Sequence, residues 1–362
     1  MAVYNGGRYL HLALESLSAQ TFRDFELVVI DDGSTDTTAD VLAAHCAIEP
    51  RLRVVRHPVN QGLVPARNRA LAECHAPLMA VADADDLFKP TRLEHQVEFM
   101  QQNPRIGFCG TAVELIDGQG DQTGTYHPPQ DDGDIRFFSM LGGCFWNTTT
   151  IYRTDLVRRA GAYEPAFNLG AEDYDLWVRL MRITQCANLP ALLACQRIHG
   201  SSVTADLVPT FRNQCIVARS LISEYLGRDV NERQVVNALS LYLYGWRIPV
   251  SAEDADDGIA MLSELASNAA VRESAERVTA LRRKIARAVF QQAALQLRFS
   301  RAASMHLVRE ARRWDPSEIP ASALMGYAAR VVAPAPVLDV LRAIRNLDAL
   351  RAIRNHVPPR VH

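Results

Sequence analysis

The chain has 362 residues, 48% hydrophobic and 22% charged, with a formal net charge of −2 at pH 7, enough apolar material for one large domain and a smaller appendage. No stretch approaches the roughly 18 uninterrupted apolar residues of a spanning helix, and Met1 to Leu10 lacks a signal peptide's basic start and apolar middle, so a cytoplasmic location is expected. The seven cysteines are odd in number and never spaced Cys-x-x-Cys, which predicts reduced thiols and no zinc site. Charge is uneven: residues 271–362 carry 17 basic and 7 acidic side chains, a balance of +10 against −12 for the rest. A solvated arginine face on a helical domain and contact with an acidic partner both fit this asymmetry.

In chain order, helical periodicity alternates with short apolar runs as far as residue 116, the pattern of α/β packing. Helices are predicted over Tyr9 to Ala19, Thr37 to Cys46, Val64 to Cys74 and Pro90 to Gln101, the last with proline at its first position. Strands are predicted over Glu26 to Ile30, Arg53 to Arg56, Leu78 to Ala82 and Ile106 to Ile116. Residues 117–146 carry Gly, Asp and Pro clusters and read as a mobile loop over a substrate. A helix over Asp173 to Ile183 and a strand over Ala187 to Arg197 follow. Beyond about residue 205 the pattern is helical, clearest over Asn231 to Tyr244, Ala255 to Ala266 and Val271 to Phe299. The motif Leu341 to Asn346 recurs at Leu350 to Asn355, one repeat, too little for a solenoid. The predicted organisation is a domain over 1–204 and a helical region of unassigned role over 205–362.

Five constellations bear chemistry. Asp31-Asp32-Gly33-Ser34-Thr35-Asp36 directly follows a strand, where ligands of open α/β sheets bind. Asp32 there suits a base N–H or a ribose hydroxyl, although the same residues make a turn and a helix cap. Asp83-Ala84-Asp85-Asp86 follows another strand, and three carboxylates so close repel unless a cation neutralises them. A hard divalent metal, Mg²⁺ or Mn²⁺, is the natural solution and would also bind a diphosphate. An exposed acidic loop capping the next helix is the plainer reading. Glu172-Asp173 opens a helix, as caps also do. Asn60-Gln61-Gly62 leads into Ala66-Arg67-Asn68, where Arg67 suits a base or phosphate. Arg197-Ile198-His199 completes the set, with His199 a candidate for the metal or diphosphate.

Taken together in this order, these motifs, with Tyr4-Asn5-Gly6, Gln20-Thr21-Phe22, Phe25 to Ser34, the run Asn60 to Asp86 and Ala171 to Trp177, closely resemble glycosyltransferase family 2. The resemblance covers residues 1 to about 204. It implies a GT-A fold, a Rossmann-like, mainly parallel mixed α/β sheet flanked by helices, a nucleotide diphosphate sugar donor, and inversion at the anomeric carbon. It implies that Asp32 binds the nucleoside, with Tyr4, Asn5, Asp31, Asn60, Gly62, Arg67 and Glu172 in the donor site. Asp85 is then the main metal ligand, Asp83 and Asp86 support metal or sugar, and Asp173 is the general base. A carboxylate with an ordinary pKa near 4 is a weak base, so alignment is expected to supply much of the rate.

Relatives place an apolar strand before the Tyr-Asn loop, and here only Met1-Ala2-Val3 precede it. The first sheet strand is therefore read as truncated by a start codon assigned too late, leaving neighbouring strands with exposed ladder groups. A catalytically impaired nucleotide-sugar-binding or scaffold protein is the alternative this raises. An aspartate-dependent phosphatase is disfavoured because the only lysine in this half, Lys89, lies beside the motif; a sugar nucleotidyltransferase lacks its Gly-rich loop. The expected acceptor is a carbohydrate or lipid-linked hydroxyl in bacterial cell-surface polysaccharide or lipopolysaccharide assembly; no nucleic acid is expected. Leu338, Leu341, Ile344, Leu347 and Leu350, flanked by Arg342, Arg345 and Arg351, form a stripe suited to core packing or to anionic lipid at the inner membrane face.

Overall fold

The computed structural model describes residues 1–199, 207–244, 251–297, 301–319, 322–324 and 327. Strand β1 (Ala2–Val3) is followed by helix α1 (Leu10–Ser18), whose Leu10, Ala13, Leu14 and Leu17 are buried at helical spacing. Then come β2 (Leu27–Asp31), α2 (Thr38–Cys46), β3 (Leu52–Arg56) and α3 (Leu63–Glu73). All five residues of β2 are buried, as expected of a strand covered on both faces, and β1, β2 and β3 pair in parallel in that spatial order.

A second, mixed sheet holds β4 (Leu78–Ala80), β5 (Leu87–Phe88), β6 (Ile106–Ile116), β7 (Gln122–Tyr126), β8 (Ile151–Arg153) and β9 (Gln185–Arg197) in the order β4-β8-β6-β9-β5, with β7 on β6. Its parallel pair, β6 and β9, is its backbone. Thr111 pairs with Leu189 and Ala112 with Leu192, so Pro190 and Ala191 bulge out where a proline has no N–H to give the ladder. Helix α4 (Arg92–Gln102) lies over β6, with α5 (Asp132–Phe138), α6 (Thr154–Arg159) and α7 (Glu172–Met181) completing the cover. Pro90 precedes α4 by two residues rather than opening it, because Thr91 takes the cap position.

The expected single sheet is thus divided. β1 spans only two residues, paired to Ile30 and Asp31, and beneath it a cavity of about 460 Å³ separates Leu27 and Val28 of β2 from Leu78, Met79 and Ala80 of β4. Since β2 bonds β3 through Leu27, Val29 and Asp31, the N–H of Val28 points into this cavity.

Residues 117–146 are not a mobile loop. They form the β6–β7 hairpin and α5, and Ile135, Phe137, Phe138, Met140, Leu141, Cys144 and Phe145 join the main core. The glycines and aspartates that suggested mobility serve the turn at Asp117 to Asp121 and the cap of α5, where Asp131 accepts from the Asp134 N–H at 3.0 Å.

Helices α8 (Leu207–Leu226), α9 (Glu232–Tyr244), α10 (Ala252–Arg272), α11 (Ala275–Gln296) and α12 (Arg301–Trp314) follow. The helix read as Val271 to Phe299 is broken at Glu273, where Ser274 accepts from the Arg277 N–H and caps α11. None of the described helices is long and apolar enough to cross a membrane. The repeat at Leu341 and Leu350 and the stripe from Leu338 lie outside the described residues.

Ile135 is fully buried in the main core, so Ile135→Ala should cost about 2–5 kcal/mol in urea unfolding. A mobile loop over 117–146 would give no measurable change.

Candidate active site

The loop after β2 is built by its own carboxylates. Asp31 accepts from the Ser34 N–H at 2.9 Å and meets Arg56 at 3.3 Å. Asp36 accepts from the Gly7 N–H at 3.0 Å, Asn5 accepts from the Thr35 N–H at 2.9 Å, and Ser34 Oγ accepts from the Asn5 N–H at 3.0 Å. These bonds fasten the Tyr4-Asn5-Gly6-Gly7 turn onto the β2 loop, with Asn5 in left-handed backbone conformation and Tyr4 exposed. Buried Asp32 accepts from the Gly62 N–H at 2.8 Å and the Gln61 N–H at 3.1 Å, and lies 2.6 Å from His57 Nδ1. Asp32 therefore shapes the 57–62 loop, with Asn60 on its exposed side. Gly62, at φ 100°, begins α3, where a Cβ would come within 2.5 Å of the Asn168 amide. Asn168 in turn accepts from the Val64 N–H at 2.9 Å.

Arg67 does not face the β2 loop. Its guanidinium is paired with buried Glu172, lies 3.5 Å from Asp83, and stacks 5.6 Å from the centre of the Tyr163 ring. It therefore joins the acidic loop after β4 to the first turn of α7, bringing together three predicted site residues. Asn68 holds the same wall, donating to the Tyr163 carbonyl at 2.8 Å and accepting from its N–H at 2.9 Å.

In the acidic loop, both Asp83 oxygens accept from Asn147 Nδ2 at 3.1 Å. Asp85 lies 2.9 Å from His199 Nε2 and is about a third exposed. Asp86 is buried and accepts from the Arg197 N–H at 2.8 Å. Burial, then the charge of Asp83, raises the Asp85 carboxyl above its ordinary range; burial, then Asp85 and Asp83, raises Asp86 well above it. A nearby cation inverts such shifts. Among the described residues no three His, Cys, Asp or Glu side chains converge as a metal group. The expected ligands divide: Asp85 and His199 come together, whereas Asp83 is taken by Asn147 and Arg67. Mg²⁺ is commonly held by one or two carboxylates beside substrate phosphates, which Asp85 offers, and an imidazole nitrogen such as that of His199 is a ligand Mn²⁺ also accepts, so the pair fits a divalent cation.

Ala171, with φ 65°, turns the chain sharply into α7, so that Glu172 and Asp173 open the helix. Asp173 accepts from the Tyr174 N–H at 2.7 Å. Burial, then the Glu172 charge, pushes its carboxyl up to about 7, with Arg67 opposing. Its environment therefore differs from that of an ordinary carboxylate near 4.

His57, Asn147, Asn168 and Tyr163 escaped sequence reasoning, each being a single residue outside a dense motif. His57-Pro58 at the carboxyl end of β3 was the one available signal.

The model of the family described as "Glycosyl transferase family 2" matches residues 1–163. The chain is 30% identical over 246 residues, 66% of its length, to the O-antigen biosynthesis glycosyltransferase WbnJ of Escherichia coli, covering 91% of that relative. It is 33% identical over 185 residues, 51% of its length, to the amylovoran biosynthesis glycosyltransferase AmsE of Erwinia amylovora, covering 68% of that relative. Among solved structures, S. aureus TarS 1-349 in complex with UDP-GlcNAc matches with a TM-score of 0.53 and 19% identity, over 87% of this chain and 90% of that one. The chain is thus a glycosyltransferase of GT-A fold. It belongs to glycosyltransferase family 2.

Because the folded-state pKa of Asp173 is raised, the protonated form favours folding fully below the ordinary carboxylate pKa, and that contribution is lost as pH rises through about 7. Asp173→Asn should therefore melt higher than the parent at pH 8 and equal to it near pH 4. An advantage independent of pH would refute the raised pKa.

Proposed function

We propose that the chain transfers a sugar, with inversion, from a nucleotide diphosphate sugar to an acceptor hydroxyl, with Asp173 as general base. The observation that carries this reading is the Arg67 bridge, which sets the acidic loop after β4 and the start of α7 against one another. The proposed domain division is residues 1–204 for donor and chemistry and a helical region of unassigned role over 205–362.

The loops after β1, β2 and β3, with Tyr4, Asn5, Asp31, Asp32, Asn60 and Gly62, suit the nucleoside, lying at strand carboxyl ends. Asp85 and His199 would hold Mg²⁺ or Mn²⁺, which when bound would offset the negative charge growing on the departing diphosphate. Asp86, held by the Arg197 N–H, keeps the loop in shape, and Asp83, oriented by Asn147, faces the sugar. Asp173 takes the acceptor hydroxyl's proton as that oxygen forms its bond to the anomeric carbon and the bond to the diphosphate oxygen breaks. A base pKa near 7 suits this role better than one near 4, because it combines a useful ionised fraction with a stronger pull on the proton.

Several comparisons support the substrate class. TarS was solved with UDP-GlcNAc, and the mannosyltransferase PcManGT of Pyrobaculum calidifontis, with a TM-score of 0.50 and 15% identity over 88% of this chain and 85% of that one, was solved with GDP-Man and Mn²⁺. WbnJ and AmsE are named for O-antigen and amylovoran synthesis, which favours a carbohydrate or lipid-linked acceptor in a bacterial surface polysaccharide.

Incubation of the purified chain with Mn²⁺ and a panel of UDP- and GDP-sugars should release nucleotide diphosphate. Asp173→Asn should lower kcat by on the order of 10²–10⁴, and Asp85→Ala should lower it strongly as well. The parent's kcat/KM should rise with pH and level off above about 7. Equal slow release by parent and both variants would leave a nucleotide-sugar-binding or scaffold protein instead.

A further inference from the structure

Arg197 ends β9 two residues before His199 and is 3% exposed, so its charge sits almost wholly out of water. Its side chain spans three segments at once. Nε donates to the Asp85 carbonyl at 2.9 Å, Nη1 donates to the Asp117 carbonyl at 3.0 Å in the β6–β7 turn, and the guanidinium lies 4.5 Å from the centre of the Tyr9 ring. Its backbone N–H holds Asp86 at 2.8 Å. Tyr9 completes the clasp: its hydroxyl donates to the Gly118 carbonyl at 3.3 Å, and its ring is 5.1 Å from that of His199. The two groups that hold Asp85 and His199 in place are therefore themselves stacked on each other.

We infer that Arg197, packed on Tyr9, is a positioning residue that holds Asp85 and His199 together as a preformed pair for a divalent cation. This rests on the metal reading above. Arg197 touches neither carboxylate oxygen of Asp85; it fixes that residue's backbone, while Tyr9 fixes the His199 ring. Only a planar fork can reach carbonyls on two separate loops while presenting its face to a ring, so lysine would not substitute.

The test measures Mn²⁺ binding directly, from the EPR signal of free Mn²⁺ titrated with the full chain, with UDP or GDP present. Arg197→Gln, Arg197→Lys and Tyr9→Leu should each weaken Mn²⁺ binding about 10–100-fold, the range for groups that orient metal ligands. Tyr9→Phe, which keeps the ring, should bind as the parent does. At saturating Mn²⁺ the variants should regain most of the parent's kcat. Parent-like Mn²⁺ affinity in Arg197→Gln and Tyr9→Leu, at unchanged melting temperature, would overturn the inference. Should Arg197→Gln not fold, Tyr9→Leu decides alone. No Mn²⁺ binding by the parent would remove the metal reading itself, and this role with it.

Discussion

The guanidinium of Arg67 is the interaction on which the architecture turns. Helix α3 is seated on the first sheet through Ala66 and Ala70 against Val28 and Ile30. From there Arg67 reaches past the cavity between the sheets to Asp83, after β4, and to Glu172 on α7. Burial alone would lower its pKa, but Glu172 and Asp83 outweigh that and raise it, so it stays charged. Buried ions are costly to desolvate, and removing one partner of such a set typically costs about 3–5 kcal/mol. The two sheets are thereby locked in one relation by a contact that cannot be exchanged for water without loss.

Much of this was legible in the sequence because the strands are buried and the loops after them are polar. β2 and β6 announce themselves as apolar runs, and acidic clusters mark the ends of β2, at Asp31-Asp32, and of β4, at Asp83 to Asp86. The amphipathic periods of α1 and α7 fall where predicted to within a residue or two. The segment 117–146 misled because composition reports solubility of single residues rather than their packing: its aspartates sit in one turn and the start of α5, while Ile135, Phe137, Phe138, Met140 and Leu141 are core. Asn147 and Asn168 were invisible for a different reason. A lone asparagine carries no pattern, and its partners, Asp83 and Val64, lie 64 and 104 residues away in the chain.

The described helices beyond β9 share an apolar core with the sheet and its covering helices. Ile222, Leu239 and Leu243 share one core with Phe138, Leu141 and Trp177, and Leu243 packs within van der Waals range of Gly142. On the surface, Arg277 of α11 pairs with Asp131 and Asp134 at the start of α5. The segment between β7 and β8 is therefore clamped from both sides, which explains how so many glycines and aspartates can belong to a rigid wall. Part of the arginine excess toward the carboxyl end serves such internal pairs: Arg283 with Asp315 and Arg287 with Glu318 are others.

The carboxylates of the site fall into two physical classes. Asp31, Asp32 and Asp36 are surrounded by donors from their own loop and from the neighbouring loops after β1 and β3, and Thr38 and Gly7 hold Asp36 below its ordinary pKa despite the opposing effect of burial. They build the loops they occupy. Asp85, Asp86 and Asp173 are crowded by other carboxylates and by apolar surroundings, and all three are raised. Charges that a fold leaves in deficit of donors cost stability, and proteins retain them where the missing positive charge, or the proton, is part of the work done. The separation runs along the strand ends: satisfied carboxylates after β2, unsatisfied ones after β4 and at α7. Three cations stand against the crowded carboxylates: Arg67 at Asp83 and Glu172, Arg197 on the Asp85 carbonyl, and fully buried Arg92 on the Val81 and Thr150 carbonyls.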